Sequence, residues 1–285
     1  MESDRSQSPP ATASDDLADQ NSVLLPLGTL GWHEHFSAQT VPERLAKTPP
    51  VRVVEVHRSG LRVLGEDIEA TIPPRLDATV GDWFLYDAED PKLSELLERK
   101  SVIKRRAPGS DRKEQLIAAN IDTAFIVTSC NQDFNVARLE RYIALVLDAG
   151  VDPVIVLTKL DLCDDVEPYL QEARAISDLA PVVTLDARSD DGVRTLARWC
   201  RPGQTVAFIG SSGVGKSTLT NSLSTSLAID TQPVRPGDDR GRHTTTHRHL
   251  HIIMGGCAVL DTPGMRELQL TDVAFGVESV FADLQ

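Results

Sequence analysis

Cysteine is scarce in this chain of 285 residues: Cys130, Cys163, Cys200 and Cys257 are the only four, none in a C-x-x-C pair or at zinc-finger spacing to histidine. That excludes a disulfide-stapled secreted scaffold and leaves buried, reduced thiols in a cytoplasmic protein as the expectation. Long apolar runs are missing as well. Nothing approaches ~18 consecutive apolar residues, so no membrane span is expected. The opening MESDRSQSPPATASDD lacks the apolar core of a secretory signal, and there is no internal repeat. Basic charge is in deficit, 29 Lys and Arg against 42 Asp and Glu, for a net charge of −13. A protein of that balance does not coat nucleic acid over its whole surface.

What is present suffices for a folded protein. A hydrophobic content of 41% can bury a core, and the length fits about two domains. Residues 1–48 are expected to be a disordered or extended segment, with one short apolar element in SVLLPLGTLGWHEHF. From Val51 the texture is β. VRVVEVHRSGLRVLG alternates around a Ser-Gly turn, EATIPPRL continues it, and VGDWFLYDAED adds an aromatic strand. Several short strands without a helical period predict a small OB-like barrel over 49–107. One local reversal of charge stands out: RKSVIKRRAPGSDRK, from Arg99 to Lys113, holds seven basic residues and one acid. It reads equally as a phosphate-facing strip or as a solvated interdomain linker.

From Ile121 onward strands alternate with helices, as a mostly parallel sheet covered on both faces requires. DTAFIVTS, PVIVLT, PVVTL, TVAFIG and CAVLD are the strands. Helices are predicted from Val136 to Leu147, stopped by Gly150, near 167–179, over 192–200 and from Lys216. The expected α/β domain spans 108–275.

Between TVAFI and the apolar-periodic STLTNSL lies GSSGVGKS, which fits G-x-x-x-x-G-K-[ST] in the strand-to-helix context that the pattern needs. Gly210, Ser211, Ser212, Gly213, Val214 and Gly215 can turn their backbone N–H groups toward phosphates, with Thr218 in the first helical turn. Lys216 is placed to reach the β and γ phosphates and Ser217 to ligate Mg²⁺. Asp261 opens D-T-P-G after an apolar strand, where a carboxylate can hold Mg²⁺ through water and Gly264 can offer its N–H to the γ-phosphate. Between the two motifs, GRHTTT supplies a threonine for Mg²⁺ and the γ-phosphate. Thr245 is the candidate, ahead of Thr244 and Thr246. Four of the seven histidines, His243, His247, His249 and His251, also fall here. The last three alternate on one strand face, which a metal could use but which a plain polar face also explains.

The base-selecting signal is T-K-L-D after the strand PVIVL. Asp161 can accept from both the ring N1–H and the exocyclic amine of guanine, whereas adenine presents the opposite pattern. Thr158, Lys159 and Leu160 complete that motif, with the Lys159 stem lying along the base. Asp186 and Ala187, in the following TLDAR, are candidates for the loop near guanine O6. This order, with the base motif preceding the phosphate motif, inverts the usual one. In a parallel sheet all ligand loops leave the carboxyl ends of the strands, so cutting and rejoining the chain leaves one site intact.

With VGDWFLY, QLIAANIDTAFIVTS, DFNVARLERY, PVIVLTKLDL, GSSGVGKSTLTNSL, GRHTTT and DTPGMREL in view, the chain resembles the circularly permuted ribosome-biogenesis GTPases of the RsgA/YjeQ type. The resemblance implies GTP/GDP and Mg²⁺ as ligands and an OB domain that binds rRNA. It further implies a late maturation role on the small (30S) ribosomal subunit, with GTP hydrolysis driving release. It also implies a zinc domain beyond VESVFADLQ. Residues 276–285 are then the start of a truncated C-terminal domain, and no zinc ligand carries over. The free protein is expected to be monomeric. Where other GTPases carry a water-orienting Gln, Met265 stands here, as is usual in that family. Unassisted turnover of roughly 10⁻⁴–10⁻² s⁻¹ follows, rising on the order of 10³–10⁵-fold on the ribosome. His243 is a candidate water-orienting group. The other reading is a GTP-dependent rRNA scaffold with negligible catalysis.

Overall fold

A computed structural model of the protein describes residues 25–106, 114–189, 194–226, 248–253 and 255–261. The N-terminal part is an antiparallel array. Strand β1 (Pro50–His57) turns at Arg58-Ser59 into β2 (Gly60–Gly65), which pairs with β3 (Ile68–Ile72). On the other edge of β1, its first residues pair with β4 (Trp83–Leu85), itself paired with β5 (Glu95–Leu96). Alternate residues of β1 and β2, Val51, Val53, Leu61 and Val63, close on Ile72 and Phe84 to form a small core. This is the OB-like unit. The apolar element expected before it is two short helices, α1 (Glu34–Ser37) and α2 (Pro42–Leu45). Leu30, in the turn over 27–31 that precedes them, and Phe36 on α1 bury against Trp83 and Leu85.

The centre of this region is polar. Arg52, fully buried on β1, donates to the carbonyls of Leu30 (2.6 Å), Asn120 (3.0 Å) and Gly81 (3.2 Å). Burial lowers its pKa to about 10, and the charges of Asp122 and Asp82 work against that loss. Asp82 in turn accepts from Arg99 Nε at 2.6 Å and from the Thr79 N–H at 2.7 Å. Burial raises the Asp82 carboxyl despite the opposing Arg99 charge.

The basic stretch does not read in the structure as a free cationic strip. Its described part forms β6 (Val102–Arg106), paired antiparallel with β7 (Glu114–Ala119). Arg99 is committed to Asp82, Lys100 pairs with Asp122 at 2.8 Å, and Lys104 pairs with Glu114 at 3.2 Å.

The α/β part follows the predicted order. Strands β8 (Thr123–Ser129), β9 (Asp152–Thr158), β10 (Val182–Thr184), β11 (Thr205–Ile209) and β13 (Ala258–Asp261) run parallel in the spatial order β10-β9-β8-β11-β13. Helix α3 (Val136–Asp148) is capped by the Asn135 side chain, which accepts from the Arg138 N–H at 2.9 Å. It ends at Gly150, whose φ of +73° suits glycine. With α4 (Glu167–Ile176) it covers one face, packing on Ala124, Ile126, Ile155, Leu157, Ala207 and Ile209. Helix α5 (Lys216–Ser226) lies on the other, against Phe125, Val127, Val154, Val156, Val206 and Phe208. Burial on both faces is why these strands are apolar on both sides through their middles, with Thr, Ser or Asp only toward the ends. Of the helix expected over 192–200, residues 192–193 lie outside the described residues, Arg194 is helical, and residues 195–199 are turns, with bonds such as Trp199 N–H to the Leu196 carbonyl at 3.0 Å.

The two parts share one sheet. Strand β12 (Arg248–Ile252) is antiparallel to β13 on one edge and to β1 on the other, with Glu55 opposite His249. Cys130, Cys200 and Cys257 are buried and unbridged, and Cys163 is half-buried. Among the described residues no helix is long and apolar enough to cross a membrane.

Candidate functional site

The site lies at the carboxyl ends of the parallel strands. Leaving β11, the chain turns at Gly210, where φ is +144° and a Cβ would lie 2.2 Å from the Val127 carbonyl of β8. No other residue fits so close to the neighbouring backbone. Gly213 (φ +80°) and Gly215 (φ +104°) continue the cradle around Ser211, Ser212 and the buried Val214. Lys216 opens α5. Its ammonium is largely buried and donates to the carbonyls of Gly210, at 2.7 Å, and Ser211. Ser217 and Thr218 are exposed in the first turn, where helical N–H groups have no partner within the helix. A glycine cradle, a helix N-terminus and one ammonium together suit a polyphosphate.

The base motif reaches the same cradle from β9. Thr158 is fully buried, and its Oγ1 donates to the Val214 carbonyl at 2.7 Å, with the Thr128 carbonyl 3.1 Å away. Lys159 takes a left-handed conformation, φ +55°, which swings Leu160 and Asp161 into a short 3₁₀ turn. Asp161 projects its carboxylate where it is about half exposed. From the end of β10, Asp186 accepts from the Arg188 N–H at 2.9 Å, and the Ala187 carbonyl accepts from Ser222 Oγ of α5 at 2.9 Å. A Cβ on Gly215 would lie 3.8 Å from that of Ala187. The base loops and the phosphate cradle are therefore joined atom to atom, across 56 residues of sequence between Thr158 and Val214.

Asp261 is the last residue of β13, next to β11 in the sheet. Of the other expected residues, Thr245, with Thr244, Thr246, His243 and His247, lies outside the described residues, as do Gly264 and Met265. The remaining two histidines of the alternating set do share a face: His249 Nδ1 and His251 Nε2 are 2.7 Å apart. Among the described residues, no group of three or more His, Cys, Asp or Glu side chains could hold a metal ion.

Sequence reading did not find three contacts. The Thr158 hydroxyl ties the base motif to the cradle, Ser222 ties the TLDAR loop to α5, and Arg188 Nη2 donates to Asp161 Oδ2 at 3.1 Å. All three depend on which loops meet in space, and no local pattern announces them.

Comparisons with known proteins agree with this geometry. A family model described as RsgA GTPase matches residues 96–271. A small ribosomal subunit biogenesis GTPase RsgA of Mesorhizobium japonicum is 48% identical over 266 residues, covering 90% of this chain and 76% of the relative. RsgA 2 of Vibrio parahaemolyticus is 45% identical over 270 residues, covering 93% and 74%. Among solved structures, YjeQ from Thermotoga maritima superposes with a TM-score of 0.56 at 23% identity, over 78% of this chain and 76% of that one. YloQ, a circularly permuted GTPase, gives a TM-score of 0.53 at 25% identity, over 82% and 79%.

Proposed function

The chain belongs to the RsgA GTPase family, and from that premise we propose that it hydrolyses GTP in the service of small ribosomal subunit maturation, slowly alone and faster on the subunit. One observation supports the single-site part of this reading: the Thr158 hydroxyl donates to the Val214 carbonyl, so the two motifs touch.

In this reading Asp161 accepts the two donors of guanine, and the backbone beside Ala187 meets its O6. Lys216 exchanges its loop carbonyls for the β and γ phosphates as nucleotide enters. Ser217 and Asp261, hard oxygen donors on α5 and at the end of β13, would hold Mg²⁺, with Thr245 as a third donor. When bound, that ion neutralises developing charge on the phosphate oxygens. Gly264 offers its N–H to the γ-phosphate. Met265 has no group able to orient water, so the basal rate is low and the subunit supplies or orders what is missing, His243 being the candidate within the chain. Residues 49–107 act as the rRNA-facing domain and 108–275 as the GTPase domain.

The test is turnover of GTP by the intact chain with and without small subunits, with ATP as control. Stimulation on the order of 10³-fold or more supports the reading. Equal rates with and without subunits contradict it.

A further inference from the structure

The base end of the site holds a contact that nucleotide chemistry does not require. Arg188 Nη2 donates to Asp161 Oδ2 at 3.1 Å, while Arg188 Nε lies 3.5 Å from Asp186 Oδ1. The loop carrying Arg188 is fixed from below, since the Ala187 carbonyl is held by Ser222 of the phosphate-binding helix. The guanidinium is thus presented to Asp161 from an anchored base. A guanidinium offers neighbouring N–H donors in one plane, the same arrangement that guanine offers a carboxylate through N1–H and its exocyclic amine. Guanine held by Asp161 would need the Oδ2 that Arg188 now occupies.

We propose that Arg188 is a resident competitor for guanine: with no nucleotide bound it holds the Asp161 carboxylate, and the incoming base must displace it. This rests on Asp161 being the guanine-selecting carboxylate. Displacement leaves the arginine with a second acceptor, Asp186, already within 3.5 Å, so the guanidinium shifts partner and is not stranded. Arg188 then sets how tightly and how quickly guanine nucleotides enter, a specificity-tuning role distinct from catalysis. Its effect is bounded. The Arg188 and Asp161 side chains are 67% and 54% exposed, so water screens the pair. The release of such a contact is worth at most about fivefold in affinity.

The opposite role makes the opposite prediction. If Arg188 gripped the bound nucleotide, its removal would weaken binding. The experiment is stopped-flow binding of a ribose-labelled fluorescent GDP to the intact chain and to Arg188→Gln, Arg188→Lys and Asp161→Asn. Arg188→Gln is expected to bind GDP about two- to fivefold more tightly, mainly through faster association. Its advantage should shrink as added salt screens the wild-type pair, and Arg188→Lys should fall between the two. The fourth protein separates the proposal from its premise. Asp161→Asn should lose GDP and gain xanthosine diphosphate, because a carboxamide oxygen and amine match the xanthine edge. If Asp161→Asn switches base preference while Arg188→Gln binds GDP no better than wild type, the competitor role is wrong and the base site stands. If Asp161→Asn binds GDP as wild type does, the base-site reading fails and the competitor role falls with it.

Discussion

Arg52 is a cation buried with no carboxylate in contact, and three backbone carbonyls from separate parts of the chain converge on it. Burying such a charge is tolerable only because it is hydrogen-bonded, and here each of its three nitrogens donates to a carbonyl. Replacing it by methionine keeps much of the volume but takes the donor from the carbonyls of Leu30 and Asn120, at about 1–3 kcal/mol for each one that water cannot reach, while the Gly81 carbonyl still accepts from Asn120 Nδ2 at 3.0 Å. Arg52→Met should therefore lower unfolding stability by about 3 kcal/mol or more in denaturant titration, far beyond the effect of an ordinary surface change. Nothing in the sequence marks Arg52. It sits in VRVVEV as one polar residue of an alternating strand, and its importance comes from Leu30 and Asn120, distant in the chain. Gly210 is the contrasting case. The motif marked it as a glycine whose N–H can face phosphate, and the structure adds a further reason for glycine there, since a Cβ would lie 2.2 Å from the Val127 carbonyl.

Among the elements, the buried parallel strands were the most legible, because unbroken apolar runs such as AFIV in TAFIVTS and VIVL in PVIVLT leave few other readings. The basic stretch leading into hairpin β6–β7 was not: its charges suggested linker or phosphate contact, while the structure pairs Arg99, Lys100 and Lys104 with Asp82, Asp122 and Glu114. Arg99→Ala should accordingly act as a stability mutation. It leaves the buried Asp82 carboxylate without its cation, a loss of about 3 kcal/mol, whereas Lys104→Ala, removing an exposed pair, should change stability by less than ~1 kcal/mol. Equal small effects in thermal melts of both variants would contradict this assignment.

The pairing of β1 with β12 was also invisible, since it joins residues almost two hundred positions apart. Its chemistry makes a pH prediction. His249 Nε2 lies 2.8 Å from Glu55 Oε1, so at neutral pH it donates to the carboxylate. Its Nδ1 then accepts from His251 Nε2–H at 2.7 Å. His57 and Arg62 also contact Glu55, and Arg62 reaches Glu69. Burial, then the neighbouring His251, pushes the His249 pKa down to about 4, with Glu55 opposing. Burial would raise Glu55, but His57, His249 and Arg62 together hold it below its usual value. Both shifts have one sign: the unfolded chain takes the proton first. Stability from His249 is complete above about pH 6.5 and declines as pH falls toward 4. Because the His249 ring is 26% exposed, the loss between pH 7 and 5 is about 1–2 kcal/mol, below the unscreened limit. Denaturant titrations of His249→Gln should show a flatter pH dependence over that range. A slope equal to that of the wild type would remove the claim.

At the scale of the whole molecule, the order of motifs stopped being a puzzle once the strands were in place. Chain order runs from base motif to phosphate motif, but both leave the same rim of one sheet, and a buried threonine hydroxyl joins them. The antiparallel unit enters that sheet through β1 and β12, and β12 lies next to β13, which ends in Asp261. Asp261 is thus one strand away from the OB-like unit.

The central claim is that Asp161 and Lys216 hold opposite ends of one guanosine triphosphate. Its most direct test is binding of GTP and XTP to wild type, Asp161→Asn, Lys216→Ala and the double variant. The account predicts that Asp161→Asn reverses base preference by about 10²-fold or more, and that Lys216→Ala weakens whichever triphosphate is preferred. An Asp161→Asn protein that still chooses GTP over XTP, or a double variant that binds XTP as tightly as Asp161→Asn alone, would contradict it.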